Sequence, residues 1–187
     1  MQEPPASIAE AVSRELQAER VLWAASPDRW AYASKYWKTA LFGIPFASFA
    51  IFWIYQATHV PAAKNAHGFA VFFPLWGLMF VLVGLSMLLS PLWAAWAAGS
   101  VYYVVTERRA IIFEKKFKLN IQSFSRAAVS GYERVSSGGP GGNIIFQRIT
   151  DRSGRGATRV REIGFIGLPE YAGAEQALNK LVASGVA

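Results

Sequence analysis

The chain has 187 residues, 19 Lys+Arg against 12 Asp+Glu, a formal net charge of +7, and no cysteine. Hydrophobic residues make up 53% and charged residues only 17%, which is too apolar for a disordered chain. Without cysteine there is no disulfide framework, thiolate metal site, iron–sulfur cluster or cysteine nucleophile, and two histidines need carboxylates to complete a zinc site.

Residues 1–38 form a neutral segment, with Arg14, Arg20, Arg29, Lys35 and Lys38 balanced by Glu3, Glu10, Glu15, Glu19 and Asp28. Ser7-Ile8-Ala9-Glu10 has the spacing of a capping box. Ile8, Val12 and Leu16 follow at spacing four, so residues 8–20 are predicted to be a short amphipathic helix. It would pack either on the protein's own folded domain or on a membrane. Ser26-Pro27-Asp28 marks a turn.

Residues 39–99 contain two uncharged runs. Thr39 to Tyr55 reads TALFGIPFASFAIFWIY, and Gly68 to Gly99 is 32 residues without a charge. A bilayer core takes about 20 apolar helical residues, and a backbone in lipid must satisfy its own hydrogen bonds. The expectation is a transmembrane helical hairpin, about 39–58 and 70–95, joined by an outer loop at 59–69. A buried hairpin in a soluble protein would need a polar face that neither run has. A signal peptide does not fit a first apolar run lying behind 38 polar residues.

Arg29, Lys35 and Lys38 precede the first run, and Arg108, Arg109, Lys115, Lys116 and Lys118 follow the second, while the loop carries only Lys64. By the positive-inside rule both termini are cytoplasmic. Trp30, Tyr36, Trp37, Trp93 and Trp96 would form an inner aromatic belt, and Trp53, Tyr55 and Trp76 an outer one. Gly43 and Ala47 make a small-xxx-small pair that would let the helices approach closely. Neither run holds an ionisable residue, which argues against an ion path or proton relay.

From Ser100 the pattern changes. SVYYVVT, RRAIIFE, FKLNIQSF, AAVSGYERVS, GNIIFQRIT and TRVREIGF are short β-rich runs separated by turn residues at Lys115-Lys116, Ser137 to Gly142 and Ser153 to Gly156. After Leu168-Pro169, Tyr171, Ala174, Leu178, Leu181 and Val182 recur at helical spacing. Residues 100–187 are therefore expected to form a small antiparallel barrel capped by a C-terminal helix. They hold thirteen basic and seven acidic residues, so almost all the excess charge lies here.

Tyr103-Val104-Val105-Thr106-Glu107-Arg108-Arg109-Ala110-Ile111-Ile112 resembles the Y-x-V-T-D-R-R motif of bacterial pleckstrin-homology-like (PH-like) domains, with Glu107 standing where Asp is usual. Glu19-Arg20-Val21-Leu22-Trp23 with Pro27-Asp28 is similar to the segment that precedes the paired transmembrane helices in those proteins, and Gly164-Phe165 before the last helix is similar to their closing strand. The resemblance implies a membrane α-helical hairpin plus an α+β domain of the PH-like barrel type at a bacterial inner membrane. It implies no enzymatic activity and no cofactor.

Three basic groups are candidates for anionic-lipid or partner contacts: Arg108 and Arg109; Lys115, Lys116 and Lys118; and Arg148, Arg152, Arg155, Arg159 and Arg161. Juxtamembrane cations are attracted to an anionic leaflet, and arginine suits forked recognition of phosphate or carboxylate. The same residues also serve as turn ties or as solvated strand edges. SGGPGG lacks the Gly-Lys-Ser/Thr ending of a phosphate loop. His59 and His67 have no carboxylate nearby in the sequence. Nucleic acid is not expected as a partner, because exposed aromatics do not interleave with the cations and no helix-turn-helix pattern is present. No catalytic constellation emerges. The function expected is a non-enzymatic membrane-anchored adaptor or accessory subunit. Its partners would be membrane lipids and an integral-membrane protein or a second copy of the chain; the alternative is an anionic-lipid sensor.

Overall fold

A computed structural model of the chain describes residues 2–17, 19–59, 69–116, 118–136, 141–152 and 158–184, side chains excepted at 57–58, 69–75, 151–152 and 158–159. The residues fall into two compact units, one made of 1–32 with 95–187 and the other of 33–94. Residues 1–32 are thus part of the C-terminal domain, and the helical hairpin is an insertion within it.

The domain contains helix α1 (Ala9–Glu15), strand β1 (Val21–Ala25) and the short helix α2 (Arg29–Ala33), whose last residue begins the hairpin unit. After the hairpin come β2 (Val101–Thr106), β3 (Arg109–Lys115), β4 (Leu119–Ser125), α3 (Arg126–Val129), β5 (Glu133–Ser136), β6 (Gly142–Arg152), β7 (Thr158–Leu168) and α4 (Ala172–Ala183). The ladders make two antiparallel sheets, β1-β2-β3-β4 and β5-β6-β7. Residues 127–132, expected to begin a strand, instead belong to α3 and a turn, and the strand starts only at Glu133.

The central strand β2 is buried at all six positions. Side chains alternate across a strand, so both faces must be covered. Val101, Tyr103 and Val105 enter a core with Phe146, Phe165, Leu178 and Leu181. Tyr102 and Val104 enter a second core with Ile8, Val12, Ile111 and Phe113. Helix α1 therefore packs on the domain through its spacing-four stripe. It is shorter than expected, starting at Ala9 with no side-chain cap hydrogen bond, so the Ser7–Glu10 capping box does not form. Gly167 is the one described residue with a positive φ, +74°. A β-carbon there would sit 2.9 Å from Tyr32 N, so glycine answers both the backbone conformation and the close approach.

The hairpin unit contains a 3-10 turn (Ser34–Tyr36), α5 (Trp37–His59) and α6 (Phe69–Leu88), followed by α7 (Ser90–Ala98), which runs back into the domain. The continuous helical run Arg29–Gln56 is long and apolar enough to cross a membrane. Trp76–Leu88 and Ser90–Ala98 meet that test only as a pair, bent by 45°. Helices α5 and α6 pack antiparallel, with Phe46 against Phe80 and Ala47 against Gly84.

A β-carbon on Gly84 would lie 2.9 Å from both Cα and Cβ of Ala47, and backbone cannot yield there as a flexible side chain would. Gly84→Ala should therefore push the helices apart at a cost of about 1 kcal/mol. The measurement is disulfide crosslinking between cysteines placed at Phe46 and Phe80 in this cysteine-free chain. An unchanged crosslinking rate would contradict the close approach.

Candidate functional site

The β2–β3 turn is built around Thr106. Its hydroxyl oxygen accepts from the backbone N–H of Arg109 at 3.0 Å and of Arg108 at 3.2 Å. It also lies 2.7 Å from Glu19 Oε2 and 2.9 Å from the Arg109 carbonyl, either of which can take its proton. Thr106, not Glu107, thus bonds the turn backbone, while the Glu107 carboxylate faces Arg20 at 3.5 Å.

Arg109 is held in place. Its Nε donates to Glu19 Oε1 at 2.8 Å, Nη2 lies 2.7 Å from the same oxygen, and Nη1 lies 3.0 Å from Glu15 Oε1. Burial pushes the Glu19 carboxyl up. The hydrogen bonds from Arg109 and Thr106 outweigh it and hold the group below the usual carboxylate range. The same Glu19 bond is the main cause that raises Arg109. The guanidinium that the sequence offers as a lipid contact is an internal tie from β3 to the chain before β1. Arg108, beside it, is exposed and its side chain makes no hydrogen bond or ion pair with a described residue, though its charge helps to hold Glu19 ionised.

The other candidates divide in the same way. Lys115 Nζ donates to the Ser7 carbonyl at 2.9 Å, and Lys116 pairs with Glu114 at 2.7 Å. Arg148 bridges Glu133 at 2.8 Å and Glu162 at 3.3 Å. Lys118 and Arg161 are exposed and make no ion pair with a described residue. Arg155 lies outside the described residues; Arg152 and Arg159 are on β6 and β7, and their side chains lie outside the description. The Gly-rich loop at 137–140 and His67 also lie outside it. His59 Nδ1 is 2.8 Å from the Tyr55 carbonyl. Among the described residues no group of His, Asp and Glu could hold a metal ion.

Two features were not found from the sequence. One is the pairing of the Glu15 and Glu19 carboxylates with Arg109, since the sequence marks these two residues only in the charge balance and, for Glu19, in the resemblance. The other lies within the hairpin: an apolar cavity of about 260 Å³ lined by Phe49, Ala50, Trp53, Trp76, Gly77 and Phe80. The candidate packing pair Gly43 and Ala47 lies on the side of α5 facing α6; a β-carbon on Gly43 would be 3.0 Å from Met87 Cβ and from Leu88 N.

Comparison with protein-family models, with curated proteins and with solved structures yields no match for this chain.

Proposed function

We propose that the chain is a membrane-anchored adaptor, with α5 and α6 crossing the bilayer twice and a PH-like domain on the cytoplasmic side that engages an integral-membrane protein partner. The observation that carries this reading is the β1–β2 ladder. Val21 pairs with Thr106, Trp23 with Val105, Ala24 with Val104 and Ala25 with Tyr103. Strands joined by hydrogen bonds lie on one side of any membrane, so the segment between them crosses an even number of times. A single crossing by α5 is incompatible with this ladder.

Three further facts support the reading. The hairpin surface is apolar and exposed at Leu41, Phe42, Phe49, Phe52, Leu82 and Leu85, an area that water would penalise. The four-plus-three strand arrangement with a C-terminal helix suits a PH-like domain. The cavity lined by Trp53 and Trp76 would accept an apolar side chain from a partner helix. An adaptor is favoured over a lipid sensor working through the basic turns, because Arg109, Lys115, Lys116 and Arg148 are already engaged inside the domain.

Gentle detergent extraction of the full chain, followed by mass spectrometry, tests this function. The expected result is a partner at fixed stoichiometry; a clean monomer overturns it. Sidedness is tested with single cysteines at Ser13, Ala63 and Ala172 and a membrane-impermeant maleimide. Only Ala63 should label from outside the cell; labelling of just one of Ser13 and Ala172 overturns the two-crossing arrangement, and labelling of both overturns the cytoplasmic placement of the domain.

A further inference from the structure

Arg29, Trp30 and Trp96 lie where the chain leaves the domain for the hairpin and where it returns. Trp96 is 79% exposed and Trp30 is 69% exposed, the two highest values among the described large apolar side chains. Trp96 belongs to a stripe along α7. Leu89, Leu92, Trp93 and Trp96 are exposed at spacings of three and four, while Ala94 and Ala98 are buried. The helix has thus packed its small side chains and left its large ones outward.

Arg29 reaches the end of this helix. A β-carbon on Gly99, which closes the last turn through its bond to the Trp96 carbonyl, would lie 3.8 Å from Arg29 Nη2. The arginine makes no ion pair or hydrogen bond with a described residue. Its neighbour Asp28 is occupied, accepting from the Ala31 N–H at 2.7 Å. No acidic residue occurs between Asp28 and Glu107, whereas Arg29, Lys35 and Lys38 are all cationic. The local surface therefore combines exposed indoles with a guanidinium that makes no ion pair with a described residue.

We propose that this edge of the domain, formed by Arg29, Trp30 and Trp96, is a seat for anionic phospholipid headgroups. The proposal rests on the two-crossing reading, and two arguments select the occupant. Helix α7 follows α6 after a one-residue break, so its stripe continues a surface assigned to lipid. The charge is complementary to phosphate, which the planar guanidinium can grip with two donors. Indoles favour the headgroup zone, with an apolar body toward the chains and an N–H toward water. The 45° bend at Leu89 then turns the chain out of the hydrocarbon before β2 begins.

The test uses the full chain in vesicles of phosphatidylcholine with phosphatidylglycerol. Spin labels go on single cysteines at Trp30 and Trp96, with Leu82 as a mid-span control. Collision with oxygen and with a water-soluble nickel chelate gives each label's depth. Labels at 30 and 96 should both read at headgroup depth, and the label at 82 deep in the hydrocarbon. In the same vesicles Arg29→Gln should lower the preference for retaining phosphatidylglycerol over phosphatidylcholine about fivefold. Labels at 30 and 96 that read as aqueous, as deep as 82, or as shielded from both collision partners overturn the seat. If 82 stays deep in those cases, the two-crossing reading survives alone. A label at 82 that reads as aqueous overturns that reading itself. Unchanged lipid preference in Arg29→Gln removes the arginine from the seat.

Discussion

Phe165→Ala is expected to destabilise the domain by about 3–5 kcal/mol. Phe165 is fully buried, and its ring sits where both sheets contribute aromatics. It stacks on Tyr103 at 4.8 Å, meets Phe146 edge-on at 4.8 Å and lies 5.7 Å from Trp23. Those partners come from β2, β6 and β1, so one ring joins strands from before and after the inserted hairpin. Removing it leaves a cavity walled by rigid rings on a strand whose neighbour Ile166 is fixed by two bonds to the Tyr103 hydroxyl, at 3.0 and 3.1 Å. Such a site collapses poorly, which places the cost toward the upper end. Thermal unfolding of the purified full chain, followed by near-ultraviolet circular dichroism, should show Tm lowered by on the order of 10 °C. A loss below about 1 kcal/mol would mean that the two sheets are not held together at this residue.

The sequence reveals the elements whose partners are close along the chain. Strands β2, β3 and β4 are joined by tight turns, and short β-rich runs separated by turn signals mark them. Helix α4 is marked by Ala174, Leu178 and Leu181, all of which enter the core. Strand β1 is not marked. VLWAA is short, has no alternation, and pairs with a strand about 80 residues downstream, beyond a hairpin of different composition. No local pattern carries a pairing of that range. The site is concealed for the same reason: Arg109 is legible as a cation at a turn, but its carboxylates arrive from the far side of the insertion. Unpaired charge is what a sequence can count, whereas the structure decides which charges are already spent. Under the two-crossing proposal, the β1–β2 pairing would make folding and membrane insertion interdependent, since that ladder forms only when both ends of the hairpin are on one side.

The second large effect is expected from Arg109→Met. The substitution keeps most of the side-chain length and leaves the Glu19 carboxylate, whose side chain is only 10% exposed, without its cation. Breaking a fully buried pair this way costs roughly 3–5 kcal/mol. Thr106 remains as a donor and the arginine side chain is 27% exposed, so a loss of about 2 kcal/mol at neutral pH is expected after discounting for solvent. The pH dependence distinguishes this from a loss of packing. In the native chain Glu19 is held below its ordinary value. Its contribution is therefore complete above the unfolded carboxylate pKa of about 4.3 and is lost as pH falls through the lower folded value. Without Arg109 the largest lowering cause is lost, and only the Thr106 hydrogen bond and the Arg108 charge oppose the burial that pushes Glu19 up, so the ionised carboxylate contributes less at neutral pH than in the native chain. The stability difference between the two proteins should be largest near pH 7 and shrink as pH falls toward about 3.5, while the carboxylates common to both cancel in the comparison. Denaturant unfolding of the detergent-solubilised proteins at both pH values measures this difference. An equal difference at both would show that Arg109 acts through its hydrocarbon stem and not through its charge.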